Sequence, residues 1–101
     1  MADFVKVAAL SELQVRTCKA VEANGKTIAL FKVEDQVYAL DNTCLHRGGP
    51  LAEGFLTGEV VTCPWHSWEY NVRTGDCLNN PAVKVASYPV QLEGDDVKVA
   101  V

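Results

Sequence analysis

The chain is short of histidine: only two occur in 101 residues, beside one methionine and four cysteines. No stretch of helical periodicity exceeds about two turns, which argues against a helical bundle. Low-complexity tracts and linkers are also absent, and nothing repeats except one short paired segment. There is no acidic tail, and the formal net charge of -4 is spread along the chain. Nucleic-acid partners usually call for a basic patch, so that class is disfavoured. The charge suits a carrier steered to a basic docking face, and suits a merely soluble acidic protein equally well. Met1 to Leu10 is broken by Asp3 and Lys6 and holds no long apolar run. Neither a secretory signal nor a membrane anchor is therefore expected there. Hydrophobic residues at 49% and charged residues at 22% make an ordinary globular balance. One domain over residues 1–101 is expected, since this length is close to the usual domain size. Its core must be small, so a bound group that ties loops together would add to stability.

Short alternating runs separated by turn signals predict an all-β domain. The expected strands are Phe4–Val7, Val15–Ala20, Thr27–Val33, Gln36–Leu40, Val60–Thr62, Glu69–Asn71, Val83–Val85, Tyr88–Leu92 and Val97–Val101. Turns are expected at Asn24-Gly25, Glu34-Asp35, Thr74-Gly75 and Glu93-Gly94-Asp95, where the residues accept tight-turn backbone angles. Ala9–Leu13 reads as a single helical turn capped by Ser11.

Both histidines fall in two segments that interrupt this strand pattern, Cys44-Leu45-His46 and Cys63-Pro64-Trp65-His66, with sixteen residues between them. Each puts a thiolate donor and an imidazole within two or three residues, cysteine first. A two-iron, two-sulfide centre with two cysteines on one iron and two histidines on the other needs this arrangement, because each segment then serves both irons. Two cysteines and two histidines also make a tetrahedral zinc site. Zinc fingers, however, pair like with like, and the single-residue gap in Cys44-x-His46 is too tight for a zinc knuckle. Two buried cysteines and two satisfied histidines without metal form the third reading. It requires both histidines of the chain to fall in the pattern by chance.

The pattern C-x-H-x16-C-x-x-H resembles that of Rieske-type [2Fe–2S] ferredoxins, and the match extends from Cys44 to Trp68. The resemblance implies an antiparallel β base sandwich with a two-loop cluster-binding subdomain. It implies one [2Fe–2S] cluster per chain, ligated by Cys44, His46, Cys63 and His66. Gly48, Gly49 and Pro50 then belong to the first cluster loop, and Asn79-Asn80-Pro81 is similar in placement to a proline-containing loop that covers the cluster. His46 and His66 would be the exit route for the electron. High-potential members carry a bracing disulfide between the two loops, and the matching positions here are Gly49 and Trp65. They also have a serine where this chain has Trp68, although Tyr70 matches a tyrosine of that class. A low-potential carrier is the balance. Trp65 reads either as a shield and docking residue or as packing, Trp68 as packing, and Arg47 as a solvated side chain.

The resemblance further implies a soluble one-electron carrier between a flavin-dependent reductase and a terminal oxygenase, not an enzyme by itself. The alternative is a small electron-transfer subunit of an NAD(P)H-dependent nitrite reductase, docked to its large subunit. Oxygenases share the Cys-x-His-Arg-Gly and Cys-Pro-Trp-His-x-Trp strings, but they need a second iron held by two histidines and a carboxylate. Both histidines here are already spent. Membrane-bound relatives carry an anchor, so a cytoplasmic monomer without membrane or nucleic-acid partners is expected. Cys18 and Cys77 are left over and are expected as free thiols in a reducing compartment.

Overall fold

The computed structural model describes residues 4–13, 17–23, 25–34, 36–42, 50–64, 68–80, 82 and 84–100. The run Ile28-Ala29-Leu30-Phe31 organises the fold, since all four of these side chains are fully buried. A strand alternates its side chains between two faces, so four buried apolar residues in succession demand cover on both. That strand is β3 (Lys26–Val33). It pairs antiparallel with β2 (Thr17–Ala23) and β4 (Gln36–Asp41), and β4 pairs with the short β8 (Ser87–Tyr88). Ile28 and Leu30 share one core with Val21, Ala39, Val97 and Val99. Here the covering layer is a sheet ordered β1 (Phe4–Ala9), β10 (Asp96–Ala100), β9 (Val90–Glu93). Ala29 and Phe31 share a second core with Leu40, Leu51, Val61, Cys63, Tyr70, Val72, Cys77 and Val85. A small antiparallel sheet of β5 (Phe55–Thr57), β6 (Val60–Thr62) and β7 (Glu69–Asn71) contributes to that second core. The result is an all-β, antiparallel base carrying a smaller sheet, as expected.

Several boundaries differ for physical reasons. Val15 of the expected second strand lies outside the described residues, and β2 runs on to Ala23, because the tight turn at Gly25 (φ 79°) lets it pair as far as Ala23 opposite Lys26. The expected strand Tyr88–Leu92 is two strands in two different sheets, broken at Pro89, which has no N–H to offer a ladder. The expected strand Val83–Val85 is reduced to an isolated bridge between Lys84 and Asp76, with Val83 outside the described residues. β5 was not expected from the pattern; its signal was the Thr57-Gly58 pair, whose glycine takes φ 59° in the turn to β6. The helical turn is a 3-10 turn over Leu10–Glu12 with Ala9 in the capping position. Ser11 is not its cap: its N–H and hydroxyl both donate to the Asp95 carboxylate, at 2.9 and 3.0 Å, tying the turn to the β9–β10 hairpin. Leu51–Glu53 forms a second 3-10 turn that the pattern did not predict.

Candidate metal centre

Both segments that carry the candidate ligands are closed at their bases by hydrogen bonds. In the first, Asn42 ends the run of β4. Its carbonyl accepts the Leu51 N–H at 2.8 Å, and its side-chain Oδ1 accepts the Ala52 N–H at 2.8 Å. Asn42 itself donates to the Thr27 carbonyl at 3.2 Å, which fixes this neck to the central sheet. In the second, the Cys63 N–H donates to the Trp68 carbonyl at 2.7 Å. Cys44 and His46 lie on the chain between Asn42 and Leu51, and His66 between Cys63 and Trp68. Those three residues, with Arg47, Gly48, Gly49 and Trp65, lie outside the described residues. Cys63 is described, and it follows β6 directly.

The two necks press against each other. A Cβ on Gly54 would sit 2.1 Å from the Thr62 carbonyl oxygen and 3.2 Å from that of Leu51, so only glycine allows this approach. A third segment braces the second neck from the other side. Tyr70 bridges Cys77, the Leu78 N–H donates to the Glu69 carbonyl at 2.8 Å, and the Glu69 N–H donates to Asn79 Oδ1 at 2.7 Å. Asn79, the first residue of the expected third loop, therefore abuts the neck one residue from Trp68; Pro81 lies outside the described residues. Asn42 and Gly54 were not among the predicted site residues, and Asn79 was named only as part of the third loop. An asparagine at a strand end commonly satisfies nearby N–H groups, and that was the available signal for Asn42.

Cys63 is buried to 1% exposure among Leu51, Val61, Tyr70, Val72 and Cys77. Tyr70 is fully buried, and Trp68 is half-buried against the same core, in line with a packing role. Cys77 is a free thiol at 2% exposure. Cys18 is free and half-buried, and desolvation raises its pKa from 9.0 to about 11. Since thiolate is the metal-binding form, Cys18 is a poor ligand at neutral pH. A raised folded-state pKa gives stability that is fully present below the unfolded value and is lost as pH rises through the folded one. The chain should accordingly lose stability between pH about 9 and about 11. Cys18→Ser should flatten that alkaline slope in denaturant titrations without changing iron content. An unchanged slope would rule out Cys18 as its source.

The donor set and its setting fit a [2Fe–2S] group. The sequence puts a cysteine and a histidine on each of two segments, and the described flanks of those segments meet where Gly54 packs on the Thr62 carbonyl. Cys63 opens from an apolar core, where a thiolate needs a cation to compensate its charge. Comparison with known proteins agrees. The Rieske [2Fe-2S] domain family matches residues 3–89. The ferredoxin component of the naphthalene 1,2-dioxygenase/salicylate 5-hydroxylase systems of a Ralstonia species is 37% identical over 92 residues, 90% of this chain and 88% of the relative. The solved complex of reduced oxygenase and oxidized ferredoxin in carbazole 1,9a-dioxygenase contains a chain of 36% identity and TM-score 0.88, covering 96% of this chain and 92% of that one. A chain described as an NADH-dependent nitrite reductase small subunit from Mycobacterium tuberculosis superposes with TM-score 0.92, over 100% of this chain and 96% of that one. At 23% identity it shows the shared fold alone. The chain is thus a member of the Rieske [2Fe–2S] domain family, with a [2Fe–2S] cluster as its cofactor.

Proposed function

We propose that this protein is a soluble one-electron carrier that passes electrons from a flavin-dependent reductase to a terminal oxygenase. The observation that carries the reading is the pair of adjoining, hydrogen-bonded loop necks, each loop bearing one cysteine and one histidine. Cys44 and Cys63 hold one iron, and His46 and His66 hold the other. When bound, the cluster supplies a one-electron site whose potential, for mixed histidine and cysteine ligation, falls within roughly −150 to +300 mV. The chain tunes and protects that site. Two neutral imidazoles in place of two thiolates lower the local negative charge. The core around Cys63 excludes water, and the bond between Glu69 and Asn79 keeps the third loop against the second.

Residues 1–101 form one domain, and it is not catalytic alone, because both histidines are committed to the cluster and none remains for a substrate-binding iron. Among the described residues no helix is long and apolar enough to cross a membrane. We place the carrier in the cytoplasm as a monomer. The nitrite reductase subunit reading is supported by fold likeness only, whereas relatives at 36% and 37% identity belong to oxygenase systems. Two irons and two acid-labile sulfides per chain are expected in the red-brown protein, with a Rieske-type electron paramagnetic resonance signal on reduction. Its midpoint should lie below roughly 0 mV and stay nearly flat around neutral pH, because the loop-bracing disulfide and the serine donor of high-potential members are absent. One zinc per colourless chain would end the cluster assignment. Failure to reduce any oxygenase component would end the carrier assignment.

A further inference from the structure

The two most exposed large apolar side chains among the described residues are Phe55, at 72%, and Leu78, at 52%. They belong to one row. Phe55 pairs opposite Thr62 and Thr62 opposite Glu69. The Leu78 N–H donates to the Glu69 carbonyl, which sets Leu78 opposite Glu69. Opposed residues of antiparallel strands share a face. The next row, Leu56, Val61, Tyr70 and Cys77, points the other way, with the last three of these buried in the core. Phe55, Thr62, Glu69 and Leu78 therefore line the outer face of the small sheet, over about 14 Å at strand spacing.

The row runs along the base of the second ligand-bearing loop. Thr62 immediately precedes Cys63, and Glu69 immediately follows Trp68. The opposite end of this sheet, around the turn at Gly58, is farther from the loop. A partner seated on the row also lies beside Cys63 and Trp68, the described ends of the segment whose sequence carries His66. The charge nearest the row is acidic, from Glu69 within it and Glu53 two residues before Phe55, while Lys84 bridges Asp76 two residues before Leu78. Between Pro50 and Asn80 the described acidic residues are Glu53, Glu59, Glu69 and Asp76, and the one described basic residue, Arg73, lies 3.6 Å from the Glu59 carboxylate. Two apolar side chains flanking a carboxylate in an acidic field complement an apolar recess rimmed by Lys or Arg. A patch of this size suits the small interfaces typical of transient redox encounters.

We propose that Phe55, Glu69 and Leu78 form the face on which the terminal oxygenase component docks, through an apolar recess bordered by basic side chains. This rests on the electron-carrier reading above. Phe55 and Leu78 are the anchors, and Glu69 sets orientation and association rate.

The test uses holoprotein and two electron-transfer arms. Chemically reduced chain is mixed with the oxygenase component of a carbazole 1,9a-dioxygenase or naphthalene 1,2-dioxygenase system, and transfer is followed against concentration. Reduction of the oxidised chain by the reductase of the same system is measured in parallel. The Phe55→Ala/Leu78→Ala double variant should raise the half-saturating oxygenase concentration about 30-fold. Its limiting rate, its spectrum and the reductase arm should stay within about twofold of the parent. Glu69→Lys should slow association and flatten its salt dependence. Phe4→Ala, on the remote β1, should change neither arm. An unchanged half-saturation in the double variant would overturn the docking face while leaving the carrier reading intact, as would a defect confined to the reductase arm. Parent protein that passes no electron to either oxygenase overturns both readings.

Discussion

Cys63→Ser is expected to abolish cluster binding, whereas Cys77→Ser is expected to retain it in full. The pair is informative because the two positions are so alike. Both side chains lie in the same core, at 1% and 2% exposure, and both substitutions exchange a sulfur for a hydroxyl. Exchanging a sulfur for a more polar hydroxyl in such a core costs on the order of 1–3 kcal/mol. What separates them is ligation. Serine is not a thiolate donor at neutral pH, so the Cys63 variant loses one of the four proposed ligands along with the stability that the bound group returns. Iron and acid-labile sulfide should fall below about a tenth of the parent in Cys63→Ser. Cys77→Ser should keep its spectrum and lose on the order of 5–15 °C in melting temperature. Metal analysis with thermal unfolding checks both. Iron loss in Cys77→Ser of the same extent would show that the ligands are wrongly assigned.

Gly54→Ala, far from any ligand in chemical character, is expected to be nearly as damaging. The added methyl would stand 2.1 Å from the Thr62 carbonyl oxygen, which is backbone and cannot rotate aside. The segment after the first loop would have to withdraw from β6 by more than an ångström, opening the contact that holds the two necks together. Overpacking of this kind costs about 3 kcal/mol or more. A fall in melting temperature on the order of 10–20 °C should follow. Cluster content should drop with it, since the flanks of the two ligand-bearing segments no longer pack together. Gly58→Ala is the matched control. That glycine has φ 59° but open space around its Cβ position, so only the backbone cost of about 1–2 kcal/mol applies and the cluster should remain. Equal behaviour of the two variants would mean that contact between the necks does not hold the site.

The chemistry was legible in the sequence because ligation depends on residue type and close spacing, which are local properties. Cys44, His46, Cys63 and His66 could be proposed from their order and gaps alone, although the structure describes only Cys63 of the four. The all-β class was legible too, from alternation between turns, whereas the cover on both faces of Ile28–Phe31 emerged only in the structure. The split at Pro89 between two sheets was not, because a strand pattern says nothing about which neighbour will pair. Nor were the residues that assemble the site. Asn42 meets Leu51 and Ala52, Gly54 meets Thr62, and Asn79 meets Glu69. Each contact joins residues eight to ten positions apart, and only a completed sheet can bring them together. The exposed row of Phe55, Thr62, Glu69 and Leu78 has the same origin. Its members come from four separate runs of chain, and strand register alone aligned them on one face. Residue identity and spacing thus determined which metal group this protein can hold. Pairing between strands, whose entropic cost is met only in the folded sheet, decided where the flanks of the ligand-bearing segments stand and which surface lies beside them.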